Sequence, residues 1–83
     1  MSEAPEKKKT FPPWYERLGV QLIARTEGEK GFTYEVGRKV DEVTGAEYIF
    51  IAKVSTTGFA KGLIRIPKKI AVELAKKIIE TFG

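Results

Sequence analysis

The stretch Phe59-Ala60-Lys61-Gly62-Leu63-Ile64-Arg65-Ile66-Pro67-Lys68-Lys69-Ile70-Ala71 decides the fold, because its apolar spacing changes at Pro67. Before the proline, Ala60, Gly62, Ile64 and Ile66 alternate with Phe59, Lys61 and Arg65, the period of two of a strand. After it, Ile70, Ala71, Leu74, Ala75, Ile78, Ile79 and Phe82 recur at intervals of three and four. Lys68, Lys69, Glu73, Lys76, Lys77 and Glu80 fill the other side of that helix. Proline is favoured in the first helical turn, where its missing N–H has no intrahelical partner to lose. A strand over 59–66 therefore runs straight into an amphipathic helix that ends near Gly83.

Working back from this junction, Ala46 to Val54 is the most apolar segment, with Tyr48-Ile49-Phe50-Ile51-Ala52 at its centre. Aromatic and β-branched residues of this kind favour a strand. Residues 32–40 read as another strand, Phe32, Tyr34, Val36 and Arg38 alternating with Thr33, Glu35, Gly37 and Lys39. From Gly19, Val20, Leu22 and Ala24 alternate with Gln21, Ile23 and Arg25 in a first strand. Three polar, glycine-containing segments (26–31, 41–45 and 55–58) supply the turns. Phe11-Pro12-Pro13-Trp14-Tyr15 is expected to be a stiff extended segment, since each proline fixes its φ and restricts the residue before it. Its aromatics either cap one end of the core, the reading favoured here, or offer a binding surface. Residues 1–10, with Lys7, Lys8 and Lys9 in sequence, read as a disordered charged tail, and residues 11–83 as a single domain. The expected fold is α+β: a four-stranded antiparallel sheet followed by one C-terminal amphipathic helix packed on one face, as a homodimer. A core this small contributes only ~3–5 kcal/mol, which a second subunit would supplement.

Composition narrows the chemistry. The 83 residues include no cysteine and no histidine, so disulfides, thiolate metal sites and every nucleophile–histidine arrangement are excluded. The carboxylates are scattered without a recognisable catalytic pair, and no enzymatic activity, cofactor, metal or small-molecule substrate is expected. No apolar run approaches the ~20 residues of a membrane-spanning helix, and no apolar stretch follows the N-terminal lysines as a secretory signal requires. A cytoplasmic location is the expectation, with nucleoid association left open. The near-absence of Asn, Gln and Met beside abundant Lys, Glu and Ile is the composition expected of a thermophile. A net charge of +4 suits an anionic partner, though many proteins carry such a charge for solubility alone.

The third strand is apolar on both sides, Ile49 and Ile51 against Tyr48 and Phe50. One helix covers one face, so the other must meet solvent, a second subunit or a ligand. If the aliphatic side lies under the helix, the other presents Phe32, Tyr34, Tyr48, Phe50 and Phe59 among Arg38, Lys61 and Arg65. Rings interleaved with cations suit single-stranded DNA or RNA, because bases stack on the rings while Lys and Arg neutralise phosphates. Any one of these aromatics taken alone reads more simply as core, and the strand charges as protection of sheet edges. Their combination on one face is what points to a ligand.

The segment Lys61-Gly62-Leu63-Ile64-Arg65-Ile66-Pro67, after three strands and before a helix, resembles the positive-cofactor-four type of transcriptional coactivator, whose architectural relatives are the Whirly and Pur single-strand binders. The resemblance implies a homodimer packed largely through its helices, with single-stranded nucleic acid across the sheets and Lys61 as a backbone contact. The helix lacks the aromatic often found near its start in that family, and the Pro-Pro-Trp segment is additional. Gly62 to Ile70 is also similar to the strand-proline-helix stretch of swapped-hairpin (AbrB-like) transcription regulators. That similarity implies a duplex-DNA regulator or chromatin protein, and a protein-interaction module is the third alternative.

Overall fold

A computed structural model describes residues 12–83, so the expectations for the tail and for Phe11 lie outside the described residues. A one-turn helix, α1 (Trp14–Leu18), leads into four strands: β1 (Gln21–Glu27), β2 (Thr33–Val40), β3 (Glu47–Val54) and β4 (Ala60–Pro67). The second helix, α2 (Lys68–Phe82), follows β4 with no residue between them. The strands form one antiparallel sheet in the order β1-β2-β3-β4, so each pairs with its neighbour in sequence. The fold is α+β, and every strand and the long helix lie within a residue or two of their sequence-expected limits. The segment expected to be extended instead turns into α1 at Trp14, where Pro13 accepts hydrogen bonds from the N–H groups of Glu16 and Arg17.

The β2–β3 turn shows the local chemistry that sets register. Asp41 Oδ1 accepts from the N–H of Val43 at 2.8 Å and Thr44 at 3.3 Å, while Gly45 adopts φ +78°, a conformation that favours glycine. The resulting register pairs Lys39 with Tyr48, Gly37 with Phe50, Glu35 with Ala52 and Thr33 with Val54. On β4, Pro67, Arg65, Leu63 and Ala60 complete the same four rows. These residues share one side of the sheet, here called the clasped face, because α1 lies across it. Val36, Ile49, Ile51, Ile64 and Ile66, together with Tyr34, Arg38, Glu47 and Lys53, occupy the reverse, or open, face.

Two bulges break simple alternation. On β1 the pairing shifts between Leu22 and Ala24, which puts Leu22 and Arg25 in rows on the same face instead of opposite ones. On β4 Lys61 is the extra residue between Ala60, paired with Val54, and Gly62, paired with Lys53. Ala60 therefore joins the side of Leu63 and Arg65, not that of Gly62 and Ile64.

Among the described residues the buried apolar side chains are Trp14, Val20, Phe50, Ala52 and Val54, with Tyr15, Tyr48 and Ala60 packed against them. All belong to the clasped face or its cover. The helix expected to close the aliphatic face, α2, touches β3 and β4 but buries none of its own residues. The cover of the sheet is thus N-terminal, and it lies on the face opposite to the one assigned from sequence. The physical reason is fit. Gly37 is buried, and a Cβ added there would collide with Val20 and meet the Trp14 ring at 3.4 Å. The glycine leaves the space in which α1 settles.

Candidate nucleic-acid interface

The clasp is held by a buried carboxylate. Glu35 is 4% exposed, in the middle of β2, and accepts from Trp14 Nε1 at 2.7 Å, Arg25 Nε at 2.9 Å and Thr33 Oγ1 at 3.3 Å. Its hydrogen bond and charge in turn raise the Arg25 guanidinium above its ordinary value. A buried carboxylate is tolerated only with such partners. The Trp14 ring lies 6.3 Å from Phe50 and edge-on to Tyr15 at 5.7 Å. This cluster is structural, and it accounts for two residues that alternation alone does not explain, Glu35 and Gly37.

Beside the clasp, the clasped face opens into a cleft of about 790 Å³ between the α1–β1 turn and the β2–β3 hairpin. Tyr48, Phe50 and Arg65 form its floor, Lys39 and Gln21 one wall, and Asp41, Glu42 and Val43 the rim. The Arg65 guanidinium stacks over the Tyr48 ring at 4.7 Å from its centroid. Lys39 Nζ donates to the Leu18 carbonyl at 2.8 Å and is otherwise exposed. Asp41 Oδ1 is already engaged as the acceptor of the two turn N–H groups noted above. The opposite end of the face carries a smaller hollow of about 260 Å³ lined by Pro12, Trp14, Arg17, Phe59 and Leu63 among others, next to the bulged, exposed Lys61.

The eight residues expected to form one surface are therefore divided. Tyr48, Phe50 and Arg65 lie together on the clasped face, whereas Phe59 lines the smaller hollow at its opposite end. Phe50 is only 8% exposed beneath Trp14, so its ring is core and has no face left for a base. Lys61 stands at the β4 bulge on the sheet edge. Phe32 and Tyr34 belong to the open face; Arg38 does so by register, yet it also lines the cleft beside Tyr48, Phe50 and Arg65. Lys53 sits over the Phe32 ring at 4.6 Å, Tyr34 donates to Glu29, and Arg38 ion-pairs with Glu47. Lys68 reaches the same Glu47 at 3.0 Å, and these two cations hold its carboxyl below the usual range. The strand register causes the division, since Tyr34 pairs with Lys53 and Arg38 with Ile49, not with Tyr48 or Phe50. Sequence reasoning missed Lys39, which its own alternation put among Thr33, Glu35 and Gly37, a side with no obvious ligand signal.

Among the described residues no cluster of His, Cys, Asp or Glu could hold a metal ion, and no helix is long and apolar enough to cross a membrane. Comparison with protein families, with curated proteins and with solved structures finds no match to this chain.

Proposed function

We propose that the chain is a non-enzymatic binder of single-stranded DNA or RNA with little sequence preference, using the cleft of the clasped face. The observation that supports this most is the Arg65–Tyr48 stack, with Lys39 on the adjoining wall and, among the described residues, no ion pair to a carboxylate at either cation. A guanidinium plane laid on a tyrosine is a platform on which a base stacks, and stacking on such platforms contributes about 1–3 kcal/mol per base. Lys39 and, along the edge, Lys61 would neutralise phosphates. Compared with the surface expected from sequence, the cleft keeps Tyr48 and Arg65, has Arg38 in its lining but paired with Glu47, and gains Lys39; Phe59 and Lys61 lie toward the other end of the same face, Phe50 goes to the core, and Phe32 and Tyr34 go to the reverse face. It is also the function that the resemblance carried by Lys61 to Pro67 implies, and a cytoplasmic location is proposed with it.

Fluorescence anisotropy with a labelled single strand and a duplex of the same sequence, over a salt series, tests this. Tyr48→Ala with Arg65→Ala is expected to weaken single-strand binding by at least tenfold, while Tyr34→Ala on the reverse face leaves it unchanged. Unaltered affinity in a folded double variant, or an equal loss at Tyr34, would overturn the site. Preference for the duplex would replace the reading with that of a duplex-DNA regulator.

A further inference from the structure

Among the described residues two apolar surfaces are left without a partner, and neither belongs to the cleft. The first is the open face of the sheet, where Val36, Ile49, Ile51 and Ile66 are half-buried and Ile64 is 55% exposed. The second is the stripe of α2, from Ile70 and Leu74 to Ile78, Ile79 and Phe82, every one of them exposed. The helix cannot fold back over its own sheet by swinging on a linker. Lys68 follows Pro67 directly, Pro67 is still paired with Tyr48 in the sheet, and Lys68 is tied to Glu47 on β3. The chain is extended accordingly: its Cα radius of gyration is 14.9 Å, against about 12 Å for a compact domain of this length.

We infer that a second copy of the chain covers both surfaces by exchange, the α2 stripe of each copy lying across the open face of the other. A second copy is favoured over a foreign partner because one chain carries both halves of the contact. Two-fold symmetry then fills two troughs with two helices and leaves neither surface over, whereas a single foreign helix would occupy the sheet and leave α2 bare. From the exposures of these side chains, each copy offers on the order of 800 Å² of apolar surface, about what one partner buries in a stable interface. The rims agree in charge: the polar side of α2 carries Lys69, Lys76 and Lys77 with Glu73 and Glu80, and the open face ends in the mixed Arg38–Glu47–Lys68 network. The exchange differs from a dimer built helix against helix, which would leave the sheet face uncovered. It uses the face opposite the cleft and stands or falls independently of nucleic-acid binding.

The test is sedimentation of the full chain with cross-linking, made simple by the absence of native cysteine. The chain is expected to sediment as a dimer of its 9.3-kDa mass at 10 μM. Ile51→Lys in the sheet and Ile78→Lys in the helix are each expected to raise the dimer dissociation constant at least 100-fold while Trp14 emission stays native, since the clasp is on the other face. A copy carrying Ile51→Cys mixed with a copy carrying Ile78→Cys should form the mixed disulfide in preference to either like pair. A monomeric wild-type chain would overturn the inference, as would an Ile78→Cys like pair formed while Ile51→Lys leaves the dimer intact. Binding of α2 to anionic vesicles by a monomer would assign the stripe to a lipid surface instead.

Discussion

The two faces of this sheet carry similar apolar content but meet different fates. On the clasped face, β2 contributes Thr33, Glu35, Gly37 and Lys39, a row that looks like a solvent face, yet Glu35 and Gly37 are buried there. On the open face β2 contributes Val36, and β3 and β4 add four isoleucines, yet among the described residues no element closes over them as α1 does over the other face. Apolar content does not choose the covered side in this fold. What chooses it is the polar complement of one cover: an indole N–H that needs an acceptor, a carboxylate that supplies it, and a glycine that makes room.

If that account is correct, the largest effect comes from removing the cover. Trp14→Ala is expected to destabilise the chain by about 3–5 kcal/mol, the usual loss for a buried tryptophan, which is comparable to the whole stability a core of this size provides. Ile49→Ala on the open face, measured in the same urea titration at concentrations below dimer formation, should change stability by less than about 1 kcal/mol, because a half-exposed side chain leaves no enclosed cavity. Equal losses at the two positions would remove the distinction between the faces.

Glu35 should rank next. Glu35→Leu leaves the buried Trp14 N–H without its acceptor and returns the half-exposed Arg25 guanidinium to solvent, and about 2–3 kcal/mol is expected. Glu35→Gln keeps an acceptor for the indole and should cost about 1 kcal/mol. Unfolding followed by Trp14 emission would separate the two, and a stabilised leucine variant would show that the carboxylate does not hold the clasp.

The strand glycines sharpen the same comparison on a smaller scale. Gly37→Ala places a methyl group against Val20 and the Trp14 ring, and overpacking of this kind costs about 1–3 kcal/mol. At Gly62, on edge strand β4, an added Cβ meets open space, so Gly62→Ala should be neutral or stabilising by a few tenths of a kcal/mol, about the strand preference alone. Thermal melting of the two variants side by side checks the sign at each position.

How much of this was legible before the structure follows from what each feature depends on. The change of period at Pro67, the apolar centre of β3 and the polar turns are local, and they place the four strands and α2 closely. Facing is not local. One bulge, at Ile23, moves Arg25 onto the side of Glu35, and another, at Lys61, moves Ala60 across to Leu63. Pairing across strands then sends Tyr34 away from Tyr48, and no reading of β2 or β3 alone contains that information. The favoured reading of Trp14 as a core cap agrees with the structure, but the acceptor that seats it lies 21 residues downstream. Tyr48 and Arg65 share a side of the sheet as expected, because both sit in regular stretches where alternation by two is unbroken.

The smallest expected effect concerns the junction where α2 leaves the sheet. Glu47 accepts from Lys68 and Arg38, and those hydrogen bonds hold its carboxyl below the ordinary value of 4.5. A group with a depressed folded value stabilises the fold above its unfolded value, and that contribution disappears as the pH falls through the folded one. Stability of the wild-type chain relative to Glu47→Gln should therefore be greatest at neutral pH and vanish as the solution is taken below the usual carboxylate range. The pair is solvent-accessible, so raising salt from 0.05 to about 1 M should remove most of the difference at neutral pH as well. A clasp variant such as Glu35→Gln should respond to salt far less, its carboxylate being enclosed by Trp14 and Arg25. Matching salt responses at Glu47 and Glu35 would mean that the two faces are equally wet, and the cover assigned to α1 would have to be reconsidered.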